Sequence, residues 1–288
     1  MTAHPRAATN SFDLTASFVS LSGAGFGQPA RHSLPDRVKA AAAAGFRGIG
    51  LHVEDLPDTE EEWEKSASMI GEAELAVTEF EFLSGWTSGS PATQTAAAVQ
   101  AARRWGGHHV TAGEFGGAPL DMRAAAEGLA VTAAALEPYG VQVAVEPFAW
   151  SSIGTLEAAL EIIDASAAPN AGLMIDVWHF FNTGATVDMI QHLPTGAIKA
   201  VQLNNGPRVH SDFLANARSK RWLPHEGELD ITGLVTAVTA HGYQGPWCVE
   251  VNNPSYRELP LQEAASQAFE SSRAVLDDAL ARSDAAYG

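Results

Sequence analysis

Four short apolar runs each stop at a side chain that offers oxygen: Val143–Glu146, Leu173–Asp176, Lys199–Gln202 and Trp247–Glu250. Three carboxylates and an amide are hard donors, a set that suits Mn²⁺ or Mg²⁺ better than zinc, which prefers His and Cys. Carboxylates can also move protons when their surroundings set their pKa. A single acid after an apolar run can equally cap the next helix or form a structural ion pair. Four at successive run ends favour a shared site for one divalent cation.

The elements that must position these groups can be read from the chain. Each run has the length and β-branched content of a buried strand. Strand-like and helix-like stretches alternate along the chain. Strands are expected at Phe12–Leu21, Phe46–Val53, Val77–Leu83, His109–Gly113, Val141–Glu146, Ala171–Asp176, Ile198–Leu203 and Trp247–Val251, with helices between them and a last helix at Leu261–Ala285. Eight such units imply parallel strands closed into a (β/α)8 TIM barrel, with a doubly wound open sheet as the alternative. In a barrel the strand C-termini form the mouth, so the four oxygen-bearing residues converge there. Glu79 and Glu81 alternate with Phe80 and Phe82 and share one strand face.

Residues 1–10 read as a flexible arm and 11–288 as one barrel domain with a C-terminal helix. The glycine-rich Ser22–Gln28 lacks dinucleotide and phosphate-loop spacing, and reads as a mouth loop or lid. The long Asn204–Gly227 loop is functional by the usual rule for loops of that length.

The chain has 288 residues, 46% of them apolar, and a net charge of −17. That charge argues against a nucleic-acid partner, which needs clustered Lys and Arg. No run reaches membrane-span length, and the start has no apolar signal core. The only cysteine, Cys248, sits inside a strand-like run and reads as packing; no disulfide framework exists. These features fit a cytoplasmic protein.

The motifs VAVEP at Glu146, MIDVWH from Asp176 to His179, VQLNNGPR from Gln202 to Arg208, PHEGELD at Pro224–Asp230 and CVEVN at Glu250 resemble the xylose isomerase-like, sugar phosphate isomerase/epimerase superfamily. The resemblance covers nearly the whole chain, since AAAAGFRGIGLHVED is similar in style. It implies a TIM barrel holding one divalent metal through Glu146, Asp176, Gln202 and Glu250. It implies an isomerase or epimerase of a keto-sugar or related polyol that works through an enediolate. Glu146 and Glu250 would be the acid/base pair, and His179 and Arg208 would hold the substrate. His52 and Glu81 would line the mouth from the second and third strands, with Glu54, Glu79, Glu114, His210 and His225 as outer candidates. Trp86, Trp150, Trp178 and Trp222 fall in predicted mouth loops, where aromatic faces suit sugar rings.

Two positions depart from the ketose epimerases. Gln202 stands where they carry His, as in the inosose dehydratase branch, and Ser152 stands where they carry a second substrate-binding glutamate. A lyase of the same superfamily is therefore the alternative: an inosose or dehydroshikimate dehydratase type, or a 3-keto-C-glycoside deglycosidase subunit. The expected partner is a small polyhydroxylated carbonyl compound. Members of such families often form dimers or tetramers, so a homo-oligomer is compatible, although no stretch marks an interface.

Overall fold

A computed structural model describes residues 13–287, with side chains to residue 282. The expected arm at residues 1–10 lies outside the described residues. Eight parallel strands close a barrel in sequence order: β1 (Leu14–Ala16), β2 (Gly48–His52), β3 (Ala76–Leu83), β4 (His109–Gly113), β5 (Gln142–Glu146), β6 (Ala171–Asp176), β7 (Ile198–Leu203) and β8 (Trp247–Val249). β1 pairs with both β2 and β8, which completes the closure. No edge remains, so every strand finds ladder partners on both sides. The open sheet is thereby ruled out.

Helices link the strands where the capping signals fall. Ser33 caps Leu34–Ala44, which carries Pro35 in its first turn and stops at Gly45 with φ 105°. Thr59 and Glu62 form a capping box on Glu60–Glu72. Asp121 caps Met122–Leu136, and Thr155 caps Leu156–Ser166. The long Leu261–Tyr287 helix packs back on Leu34–Ala44. Among the described residues, no helix is long and apolar enough to cross a membrane.

Two local expectations fail for physical reasons. The first strand keeps only Leu14–Ala16, and Phe18–Ser22 is a fully buried helix ending at Gly23 in the left-handed region. An unalternated apolar run looks alike whether it is buried as strand or helix, so periodicity alone cannot separate them. The second failure lies after Asp176, where Val177–Asn182 forms a short helix that the sequence reading did not anticipate.

Candidate active site

Side-chain alternation builds the barrel interior in layers. Ala144, Met174 and Ala200 form their own buried cluster inside β5, β6 and β7. Two residues further along the same strands come Glu146, Asp176 and Gln202, so they share that inward face. Asp176 and Gln202 are aligned in the ladder, as are Gln202 and Cys248, with Glu250 two residues beyond. Glu146, Asp176, Gln202 and Glu250 are each at most 1% exposed.

Asp176 does two jobs at once. It caps Val177–Asn182 by accepting from the His179 amide at 2.9 Å. Its other oxygen accepts from Asn204 Nδ2 at 2.6 Å and from Arg221 at 2.8 Å. The cap brings the His179 ring over Glu146, with Nε2 3.8 Å from Oε1. Phe148, Trp150 and Trp178 surround that ring edge-on at 4.9–5.2 Å.

Arg221 is a buried cation of this cluster that the sequence alone does not single out. It is 5% exposed, and its Nη2 lies 2.8 Å from both Asp176 and Glu250. The backbone explains its placement. Asn205 exchanges backbone hydrogen bonds with Trp222, and Arg221 exchanges them with Asn252 beyond β8. The side chain of Asn205 also ties Pro224 and Leu229, which closes the base of the long loop. Arg208, the residue expected to reach the substrate, is instead exposed and lies over Phe181 at 5.1 Å, with its amide on Glu228. The loop holds Arg208, Arg218, Lys220 and Arg221, and nothing local in the sequence marks which cation turns inward.

Electrostatics single out Glu146. Burial, reinforced by Asp176 and Glu250, pushes its carboxyl well above the usual range, and neither oxygen has a hydrogen-bond partner. Burial also raises Glu250, to about 8, against the pull of Arg221. Burial would lower Arg221, but Asp176, Glu250 and Glu146 together raise it, so it stays charged. Burial and Arg221 hold His179 well below its ordinary value, so it is a neutral imidazole at neutral pH. The contact with Glu146 is therefore not an ion pair.

Below this layer lies a second polar layer. Gln202 Nε2 donates to Glu79 at 2.9 Å and to Glu81 at 3.1 Å, and both carboxylates are fully buried. His109 lies 3.5 Å from Glu79. Burial, the largest influence, would raise Glu79, but His109, Ser17 and Gln202 together outweigh it and hold the carboxyl low. Burial and then the charge of Glu79 raise Glu81 well above its ordinary range. Gly50 makes room for this pair: a Cβ there would sit 2.5 Å from the Glu79 carboxylate. The ionised Glu79 settles the amide orientation, because a flipped carbonyl would oppose it. Gln202 Oε1 is thus left buried without a partner. Gln202→Glu should therefore destabilise the protein by roughly 3 kcal/mol at pH 8, since it replaces a charge-assisted donor with a third carboxylate. Urea denaturation at pH 8 and pH 5 checks this; protonation should recover much of the loss at the lower pH.

Above the acids, a cavity of about 210 Å³ opens between Glu146, His179, Arg221, Glu250 and Asn252 below and Phe26, Phe82, Phe115, Phe148 and Trp150 at the side. Phe26 comes from the Ser22–Gln28 loop, which the sequence reading put at the mouth. Of the four mouth tryptophans, Trp150 lines the cavity, while Trp86 and Trp178 are fully buried. Other expected residues fall outside it. His52 sits behind Phe82, with Nδ1 accepting from the Glu54 amide. Glu114 holds Thr87 and the Gly116 amide, His225 pairs with Ser271, and His210 is exposed. Ser152 donates to the backbone of Gly116 and Ala118. Cys248 is buried beside Glu79, and burial keeps its thiol protonated.

The donor set fits a divalent cation. Glu146, Asp176 and His179 offer ligand atoms that all lie within 4.8 Å of one another. Both Glu146 oxygens and Gln202 Oε1 are buried without partners. One guanidinium faces three carboxylates, and buried anions without counter-charge are expensive.

The sequence profile described as "Xylose isomerase-like TIM barrel" matches residues 38–276. A 3-dehydroshikimate dehydratase of Pseudomonas aeruginosa is 31% identical over 146 residues, 50% of this chain and 22% of that protein. An inosose isomerase of Bacillus velezensis is 26% identical over 156 residues, 54% of this chain and 55% of that protein. The matches thus span about a fifth and about half of those relatives. Among solved structures, the IOLI protein with a bound zinc atom superposes with a TM-score of 0.78 at 17% identity, covering 92% of this chain and 98% of that one. An L-ribulose 3-epimerase gives 0.71 at 19% identity, covering 96% and 98%. At such identities the superpositions speak for the fold. The profile spans most of the chain, and with it the strands that carry Glu146, Asp176, Gln202 and Glu250: this protein belongs to the xylose isomerase-like TIM barrel family.

Proposed function

We propose that the protein is a divalent-metal-dependent isomerase or epimerase of a keto-sugar or related polyol, acting by proton abstraction next to a carbonyl. The observation that carries this reading is Glu146, a buried carboxylate with no partner on either oxygen, beside a neutral His179 and across from Arg221. Glu146, Asp176, Gln202 and Glu250 would hold the metal, with His179 close enough to join or to meet the substrate. When bound, the metal supplies Lewis-acid polarisation of the carbonyl and neutralises charge that develops on oxygen.

The chain's own residues do the rest. Glu146 takes the proton from carbon, and Arg221 faces the oxygen on which negative charge grows. His179, neutral and walled by aromatic rings, exchanges a proton with a substrate hydroxyl. Glu250 returns a proton to carbon if the product is an epimer or isomer. Isomerase and epimerase activities among relatives and fold neighbours support this reading.

A lyase is the second reading, and a specific asymmetry favours it. Glu146 is unpaired whereas Glu250 is held by Arg221, so the two acids are not equivalent bases. One base and one acid suffice for loss of water or an alcohol beside the carbonyl, and the dehydratase relative fits that chemistry. Incubation with Mn²⁺ and ketoses, inososes or 3-keto-glycosides in deuterated water separates the readings. Deuterium at carbon without loss of water supports isomerase or epimerase, a new enone supports the lyase, and no exchange with any substrate sinks both.

Metal dependence has its own expected result. Glu250 titrates higher folded than unfolded, so its stabilising effect is present at low pH and fades as pH rises through about 8. Chelated protein should therefore lose melting temperature from about pH 5 to pH 8. A divalent ion displaces those protons, so its stabilisation should grow over the same range. At 100 times its Kd it should add about 2.7 kcal/mol, or roughly 5–10 °C for a chain of this size. Thermal melts with Mn²⁺, Mg²⁺ and Zn²⁺ at pH 5.5 and 8 test this. A shift independent of pH would count against carboxylate ligands.

A further inference from the structure

The cavity is two-faced. Its floor is charged: Glu146, Glu250, Arg221 and neutral His179. Its side is a continuous run of aromatic rings. Phe26 meets Phe82 at 5.2 Å and Phe115 at 5.7 Å; Phe115 stacks on Phe148 at 5.4 Å and 24°; Phe148 stacks on Trp150 at 4.9 Å and 4°. Across from the rings, the short helix Phe213–Ala217 of the long loop presents Leu214 and Ala217. A sugar ring can lay a C–H face on one of these rings, but a linked run of five is more apolar surface than a polyol, which needs polar partners on most of its atoms, can use.

Two of the large apolar side chains left exposed sit on this rim: Phe115 at 38% and Leu214 at 39%. Both line the cavity. The cavity, open at the rim, has a volume of about 210 Å³, below the roughly 300 Å³ at which sites begin to bury a drug-sized ligand. A ligand seated on the charged floor and larger than a simple sugar must extend past the rim, between Phe115 and Leu214.

We infer that the mouth carries a second subsite, between Phe26, Phe115 and Trp150 on one side and Leu214 on the other, which takes a planar apolar ring attached to the polyhydroxylated part of the substrate. The substrate class is then an aryl-substituted polyol, such as an aromatic glycoside or its keto form, in preference to a free sugar. The inference deepens the reading of the same site as acting on a polyhydroxylated carbonyl compound. The floor holds the hydroxyl-bearing ring, and the aromatic side removes the appended ring from water, with face and edge contacts adding to area burial. Arg218, whose guanidinium lies 5.8 Å from the Phe26 ring, bounds the subsite on the solvent side.

Equilibrium binding tests the subsite without requiring turnover. Phenyl β-D-glucopyranoside and methyl β-D-glucopyranoside are titrated by calorimetry into the Mn²⁺-treated protein, in wild type and in the Phe115→Ser and Leu214→Asp variants. Both substitutions fall on exposed positions and leave the fold intact, which circular dichroism verifies. The phenyl compound should bind at least about tenfold more tightly than the methyl compound, and each variant should remove most of that preference. Equal binding, or no measurable binding of either glycoside, overturns the subsite, as does a preference that survives both variants. Sedimentation of the same variants covers the other occupant of an apolar rim: a second copy of the chain. A change of oligomeric state with unchanged ligand preference also overturns it. The deuterium-exchange panel fails independently of these titrations, so loss of the catalytic reading and loss of the subsite are distinguishable.

Discussion

Glu146→Gln should reduce deuterium incorporation from solvent by about 10³-fold or more on any substrate the protein turns over, the scale expected when a general base is removed. The substitution keeps the size of the side chain and removes its charge. Neither Glu146 oxygen makes a hydrogen bond, so the variant loses no structural partner, and the fold and melting temperature of chelated protein should hold. Stability should even rise slightly, because the native site no longer crowds Glu146 against Asp176 and Glu250. The variant should also bind Mn²⁺ less tightly, which a titration followed by paramagnetic resonance reads directly. Two measurements then separate the roles. If saturating Mn²⁺ restores occupancy and exchange stays lost, Glu146 is the base. If exchange returns with occupancy, it is a ligand only. Wild-type exchange in the variant would sink the assignment altogether.

Arg221→Met is expected to have the second largest effect, and it should depend on metal. The guanidinium lies 2.8 Å from both Asp176 and Glu250, nearly out of contact with water. Removing one partner of a buried charge pair typically costs about 3–5 kcal/mol, because the remaining charge is stranded. In chelator the variant should melt roughly 10 °C below wild type or more. With a divalent ion bound, the same carboxylates have another counter-charge, and most of that loss should disappear. Catalysis should not recover in parallel if, as proposed, Arg221 faces the reacting oxygen. Arg208→Met is the control. That side chain is exposed over Phe181, so the change should stay within about 0.5 kcal/mol and leave exchange nearly intact. Equal damage from the two substitutions would contradict the placement of the long loop.

The contrast between these two arginines shows how far linear reading reaches. The family resemblance pointed to Arg208. The chain between Gln202 and Pro224 forms its own short helix, Phe213–Ala217, and closes through backbone pairing of Asn205 with Trp222 and Arg221 with Asn252. Those pairings join residues far apart in sequence, so no local pattern announces them. The same applies to Gln202. As a residue type it is an oxygen donor, but which amide atom faces the site is set by Glu79 and Glu81, more than a hundred positions away.

The eight-unit barrel and the polar residue that closes each of four apolar runs are legible in the chain alone. Alternation of period two and helix capping are local rules, and β4, β6 and β7 follow them to the residue. The folded arrangement decides that Asp176 also caps a helix that brings His179 to Glu146. It alone placed Arg221 as the counter-charge, left Glu146 without a partner, and set a wall of aromatic rings above the acids. Each of these depends on burial and on contacts between distant segments, and burial converts ordinary carboxyl groups into ones that must be neutralised by a proton, a guanidinium or a metal ion.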